Sequence, residues 1–180
     1  MSSEKMQDNM QFQATLEYAD DALGWGNFIT VPNEVAEALV EGKNRRVVCI
    51  LNAQESYQCA LLHKGKGGYM VLVNNERRKK LRLEVGSTVT VNLEKDDSKY
   101  GMPMPEEFEE IMKQDEEVDQ YFHALTKGKQ RSLLHTIGKP KGAAKRLEKA
   151  IVVAEYLKAN NGHLDFKALN EAFKNYKPNF

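Results

Sequence analysis

The sequence predicts an α+β protein, in which a small duplicated β-barrel capped by short helices precedes a helical domain. Two patterns carry this prediction. Apolar residues alternate with a period of two along residues 10–101, which is typical of half-buried strands, and after residue 101 they recur at helical spacing. We therefore divide the chain into a disordered N-terminus (1–9), a barrel domain (10–101) and a helical domain (102–180).

The predicted strands place every second residue in the core. The clearest examples are VVCIL at 47–51 and VTVNL at 89–93, whose odd-numbered residues are apolar. Glycine-containing breaks separate the strands, and HKGKGG at 63–68 reads as a hairpin turn. Many short strands with such turns favour a barrel or a sandwich.

An internal repeat indicates duplication. VPNEVAEAL at 31–39 aligns with VNNERRKKL at 73–81 at an offset of 42 residues, and the strands at 47–51 and 89–93 share that offset. FQATL at 12–16 resembles YQCAL at 57–61, offset by 45. Each half thus predicts strand, strand, short helix, strand, and two halves would close a pseudo-symmetric barrel.

The second domain begins with MPMPEEFEEIM at 102–112, where prolines precede a helical pattern. GKPKGAA at 138–144 separates two further helices, and Asp165 suits the N-cap of the last one. The predicted apolar faces are Phe108, Ile111 and Met112; Val118, Phe122 and Leu125; Leu147, Ile151 and Ala154; and Phe166, Leu169, Phe173 and Tyr176.

Composition and motifs argue against several classes of protein. The 26 basic and 26 acidic side chains cancel, unlike the charge of a dedicated nucleic-acid binder. The start of the chain is polar and no apolar run could span a bilayer, so we expect a cytoplasmic location.

We interpret Cys49 and Cys59 as reduced strand residues. Without a nucleophile elbow, P-loop or metal-ligand spacing, we expect no enzyme, no cofactor and no metal site.

The basic segment, residues 127–149, is the first candidate site. It holds eight Lys or Arg residues against Glu148 alone, whereas the preceding residues 106–119 are strongly acidic. The segment is a candidate anion- or partner-binding surface, with Arg131, Lys139, Lys145 and Arg146 as its site residues. The structural alternative is that the two charge blocks face each other or water.

Two further candidates lie in the barrel half. Arg77, Arg78, Lys79, Lys80 and Arg82 occupy the helix of the second repeat and form the nucleic-acid alternative, although the first repeat lacks matching charge and a solvated helix face is favoured. Trp25, between two glycines, is either an aromatic lid at the barrel mouth or a plug at its end.

The whole pattern resembles a bacterial family, the YdeI/OmpD-associated or "bacteriocin-protection" proteins. The resemblance rests on VPNEVAEAL, on GSTVTVNLEKD at 86–96, on MPEEFEEIM and on RSLLHTIGKPKGAAKRLEKAI at 131–151. It implies an N-terminal domain of unknown function, similar to the double-split β-barrel of AbrB- and MazE-type proteins, followed by a helical domain. It also implies a link to stress or antimicrobial-peptide resistance. Gly138 and the pair Ala144 and Lys145 depart from the family's usual residues.

These observations favour a non-enzymatic binding protein, a monomer or weak dimer, which binds a protein or small anionic partner through its basic helical surface and does not enter membranes. A DNA-binding barrel that uses residues 77–82 is the alternative. An enzyme of unrecognised type with its site near Trp25 is the second alternative.

Overall fold

The computed structural model describes residues 10–20 and 26–178, so the N-terminus predicted to be disordered (1–9) lies outside the described residues. The chain forms two compact units, with the boundary between Asp97 and Ser98. The first unit is a curled antiparallel sheet with two short helices, and the second is helical. The predicted α+β class is confirmed.

Within the described residues, the N-terminal unit contains seven strands and two helices. In chain order they are β1 (Met10–Ala19), β2 (Gly26–Val31), α1 (Asn33–Leu39), β3 (Arg46–Leu51), β4 (Glu55–Ala60), β5 (Leu62–His63), β6 (Tyr69–Leu72), α2 (Asn75–Lys80) and β7 (Thr88–Lys95). The strand order in the sheet is β4-β3-β7-β1-β2-β6-β5, and all described pairs are antiparallel.

The predicted alternation holds in the central strands. The odd-numbered residues of 47–51 and 89–93 are fully buried, while their even-numbered neighbours are half-buried. In β1, Leu16 is buried and Phe12 and Ala14 pack partly against the same core. The loop 64–68 joins the paired strands β5 and β6, so the predicted hairpin turn is confirmed.

The strand registers follow the two offsets found in the sequence. Ile29 pairs with Val71 between β2 and β6, and Ile50 pairs with Asn92 between β3 and β7, so both pairs join residues 42 positions apart. Met10 lies opposite Leu93, and Glu55 lies opposite Leu51. Met10 and Glu55 are 45 positions apart, which is the offset of the FQATL and YQCAL segments.

Within residues 98–178, the second unit consists of five helices: α3 (Glu106–Gln114), α4 (Glu116–Ala124), α5 (Lys127–Gly138), α6 (Ala143–Ala159) and α7 (Phe166–Asn175). Side chains cap three of them at the N-terminus. Asp115 accepts from the amides of Glu117 and Val118, Thr126 caps α5, and Asp165 caps α7 as predicted. α5 ends and α6 begins within the predicted break at 138–144.

α6 is the central helix of this unit and contacts α3, α4, α5 and α7. Its core residues are Ala150, Val153 and Leu157, together with Val152 and Ala154. The prediction for Leu147 is wrong, because this side chain lies in the first turns of α6 and is 39% exposed. Phe166, 38% exposed, is the corresponding error in α7. Periodicity gives the direction of an apolar face but not the point at which neighbouring helices stop covering it.

Candidate functional site

α5 carries the uncompensated part of the basic segment. The helix contains no acidic residue, and Arg131, His135 and Lys139 recur every fourth position, opposite the buried Leu133, Leu134 and Ile137. Arg131 is half-buried and Lys139 exposed, and no ion pair involves either residue within the described part of the chain. The three side chains therefore form a basic row about 12 Å long, from the helical rise of 1.5 Å per residue.

Arg146, in contrast, is bound within its own unit. Its Nε lies 3.0 Å and its Nη2 2.9 Å from Oε1 of Glu107, at the start of α3. Its Nη1 donates to the carbonyl of Lys141 at 2.9 Å. The hydrogen bond from Arg146 lowers the pKa of Glu107, and partial burial of the carboxylate opposes this shift. Arg146 thus joins α3 to the connection between α5 and α6.

Other cations of the basic segment also have internal partners. Lys145 pairs with Glu148 at 2.9 Å, Lys129 donates to the carbonyl of Leu164 at 3.3 Å, and the Lys149 ammonium lies 4.7 Å from the Phe173 ring centroid. The structure therefore separates the four predicted residues into Arg131 and Lys139, which leave their charge uncompensated, and Lys145 and Arg146, which do not.

The acidic residues 106–119 are partly used by lysines outside the basic segment. Lys113 pairs with Glu109 at 3.1 Å within α3, and Lys158 of α6 lies 2.7 Å from Asp115. The hydrogen bond from Lys158 lowers the pKa of Asp115, and the backbone amide of Val118 acts in the same direction. Arg146 and Glu107 form an ion pair between the basic segment and the acidic residues. This contact supports, in part, the alternative in which the two charge blocks face each other.

A second site, which the sequence did not reveal, lies where the loop before α3 meets α3 and α4. A pocket of about 380 Å³ is lined there by Lys99, Tyr100, Met104, Met112 and His123, with further acidic and basic groups at its rim. The Tyr100 hydroxyl lies 2.8 Å from Nε2 of His123, and Nδ1 of His123 lies 3.2 Å from Oδ1 of Asp119. The spacing of Asp119 and His123 is visible in the sequence as a helical i, i+4 pair, but Tyr100 joins them only through the fold.

Two family models match the chain. The model described as bacteriocin-protection, YdeI or OmpD-associated matches residues 102–160, and that of a domain of unknown function, DUF1905, matches residues 12–93. Residues 102–160 thus match the YdeI/OmpD-associated family, and the resemblance found in the sequence is confirmed. The two matches correspond to the helical unit and to the sheet unit, respectively. Neither the curated proteins nor the solved structures gave a match.

In the DUF1905 domain, much of the basic cluster of α2 is neutralised locally. Arg77 and Lys80 both pair with Glu55, and the Arg77 guanidinium lies 4.0 Å from the Tyr57 ring centroid. Arg78 lies 3.6 Å from Glu84 and donates to the carbonyl of Leu83. Lys79 and Arg82 are the members of the cluster that are exposed and make no ion pair within the described residues. Three of the five residues of the nucleic-acid alternative therefore have partners inside their own unit.

The two cysteines of the DUF1905 domain are free thiols in β3 and β4. Tyr57 of β4 lies opposite Cys49 of β3, and its hydroxyl donates to the carbonyl of Leu72 at 2.9 Å. The hydrogen bond to Cys49 and burial both raise the pKa of Cys59, while burial raises the pKa of Tyr57. Cys49 and Tyr57 belong to the buried core of this unit, and Cys59 packs against it.

The remaining predictions concern Trp25, metals and membranes. Trp25 lies outside the described residues. In the part of the chain that the structure describes, no group of three His, Cys, Asp or Glu side chains could hold a metal ion. Across residues 10–20 and 26–178, none of the helices combines the length and the apolar composition needed to cross a membrane.

Proposed function

We propose that the protein is a non-enzymatic binding protein whose helical unit binds an extended anionic partner, such as an acidic peptide or protein surface, through the basic row of α5. The single observation that carries this proposal is the uncompensated charge of Arg131 in α5 and of Lys139 at its C-cap, in a helix without acidic residues. No Asp or Glu occurs between residues 120 and 147. A row about 12 Å long on a helix surface suits an extended partner.

Three other features of this proposal stay predictions: a cytoplasmic location, a monomeric or weakly dimeric state, and a link to stress or antimicrobial-peptide resistance. The family description names bacteriocin protection, and we extend this role to the chain as part of the proposal. A surface that attracts anions fits a protein partner with an acidic patch, because complementary charge speeds association and selects the partner.

We also infer that the sheet unit is a duplicated double-split β-barrel. The support is the pairing pattern, in which equivalent strands pair with each other (β2 with β6, β3 with β7) and non-equivalent pairs occur twice (β1 with β7, β4 with β3). α1 and α2 occupy equivalent positions after β2 and β6. A pseudo-two-fold axis between Ile29 and Val71 would relate the two halves.

The test compares two double charge reversals with the same change in net charge. Arg131→Glu with Lys139→Glu alters the basic row, and Lys79→Glu with Arg82→Glu alters the exposed part of the α2 cluster. Binding of a fluorescently labelled oligoglutamate and of a labelled DNA duplex is measured by anisotropy at low and moderate salt. Both variants leave Arg146 unchanged, so its ion pair with Glu107 stays intact.

We expect oligoglutamate to bind the wild type and to bind the α5 variant at least about tenfold more weakly, a loss of about 1.4 kcal/mol. The α2 variant should bind as the wild type does. Equal binding by the α5 variant would refute the proposal. Duplex binding that falls steeply with salt and is lost in the α2 variant would support the DNA-binding alternative instead.

A further inference from the structure

The pocket beside Tyr100 is built around a histidine with a defined tautomer. Nδ1 of His123 faces two acceptors on Asp119, the backbone carbonyl at 2.9 Å and Oδ1 at 3.2 Å. Nδ1 therefore carries a proton, and in the neutral imidazole Nε2 is an acceptor. The Tyr100 hydroxyl donates to it at 2.8 Å. Asp119 and His123 thus fix the position of the phenol ring at the edge of the pocket.

The carboxylates of the pocket already have partners. Glu109 accepts from Lys113 at 3.1 Å, and Asp119 accepts from His123. The Lys99 ammonium hydrogen-bonds to the Tyr100 hydroxyl, which raises the pKa of Lys99. Lys99 is exposed, so its ammonium is accessible to other acceptors.

A second ammonium group lies close to the same ring. The Nζ atoms of Lys99 and Lys127 are 5.1 Å and 5.9 Å from the Tyr100 ring centroid. Lys99 lines the pocket and can pair with an anion bound there, whereas Lys127 lies outside the lining residues and adds positive charge near Tyr100. Met104 and Met112 supply an apolar lining, and methionine adapts readily to the shape of a bound molecule.

We propose that this pocket binds a small molecule in which an oxyanion is attached to an apolar ring, such as an aryl carboxylate or an aryl phosphate. The oxyanion pairs with Lys99, and the ring packs against Met104 and Met112. This ligand class goes beyond the proposed function, because the extended partner binds along Arg131 and Lys139 and the small molecule binds in the pocket.

The experiment is an NMR titration of the full chain labelled at the methionine methyl groups, with Met104 and Met112 assigned by single substitutions. The probes are benzoate and phenyl phosphate, with benzylamine as the control that keeps the ring and reverses the charge. Inorganic phosphate tests whether the anion alone is sufficient. Probes are added to about 10 mM, because ligands of this size bind with millimolar dissociation constants.

We expect benzoate or phenyl phosphate to shift the Met104 and Met112 methyl signals along a saturable curve, and benzylamine to leave them unchanged. Lys99→Ala should weaken binding about tenfold, and Lys99→Arg should retain most of it. Lys139→Ala is the matched control, since it removes an exposed lysine of the same unit that does not line the pocket.

Three outcomes would overturn the proposal. The first is the absence of methyl shifts with both anionic ring compounds. The second is an equal response to benzylamine, which would indicate an apolar cleft without charge selectivity. The third is an equal loss of binding in the Lys99→Ala and Lys139→Ala variants, which would indicate a general effect of net charge. If inorganic phosphate binds as tightly as phenyl phosphate, the ring has no role and the proposed ligand class is wrong.

Discussion

Replacing Arg146 by methionine should destabilise the helical unit by about 2 kcal/mol. Methionine keeps much of the apolar side-chain volume and removes the guanidinium, which bonds to Glu107 and to the carbonyl of Lys141. Hydrogen bonds to charged groups contribute about 1.5–3 kcal/mol each. The side chains are 28% and 14% exposed, so water replaces part of the lost interaction and the lower end of that range applies.

The measurement is urea denaturation followed by far-ultraviolet circular dichroism, which reports mainly on the helical unit. Lys145→Met is the matched control, because Lys145 is the neighbouring residue and pairs with Glu148 within the same helix. An exposed pair of this kind contributes less than about 0.5 kcal/mol. The difference between the two variants therefore isolates the ion pair that links α6 to α3.

The pH dependence gives a second check. Since Arg146 lowers the pKa of Glu107 below its ordinary value of 4.5, the ion pair stabilises the folded state above that pH. Its contribution is lost as the pH falls through the lowered pKa of the folded state. The gap in unfolding free energy between wild type and Arg146→Met should thus shrink in acid. Equal effects of the two variants, or a gap that does not change in acid, would refute this account.

Three further substitutions test packing by the same denaturation measurement. Gly162→Ala should cost about 2 kcal/mol, because φ is +77° and a Cβ would lie 2.7 Å from Cδ1 of Tyr121; a neutral effect would contradict the described turn. Gly128→Ala should stabilise the protein by about 0.5–1 kcal/mol, since it lies in α5 with no atom within 4 Å of the new Cβ; destabilisation would count against the helix. Phe108→Ala should cost about 3–5 kcal/mol, because Phe108 is fully buried against Phe122; a loss below about 1 kcal/mol would be inconsistent with that core.

The strands were predictable because the alternation of apolar and polar residues that defines them is a local feature of the sequence. The alternation at 47–51 and 89–93 determines which residues are buried, and the two sequence offsets match the registers of the sheet. Helix starts were predictable where a short polar side chain caps them, as at Asp165. The exposure of Leu147 could not be predicted from the sequence, because it depends on where the other helices end.

The candidate sites were less predictable because charge patterns do not reveal partners. Arg146 and Glu107 are 39 residues apart, and only the packing of α3 near the start of α6 brings them together. Arg77 was expected either on a solvated helix face or, as the alternative, at a phosphate, and instead it stacks on Tyr57 beside Glu55. Tyr100 lies in a loop without any motif, so its hydrogen bond to His123 could be found only from the fold.

Asp115 links the shape of the pocket to a single backbone position. This one residue both ends α3 and caps α4, so its φ of −127° and ψ of 96° set the angle between the two helices. Met112 and Lys113 lie on α3, whereas Asp119 and His123 lie on α4, so the two walls of the pocket diverge from a common hinge. Lys158 of α6 lies 2.7 Å from the carboxylate of Asp115, so an ion pair outside the pocket holds α6 to the junction of its two walls.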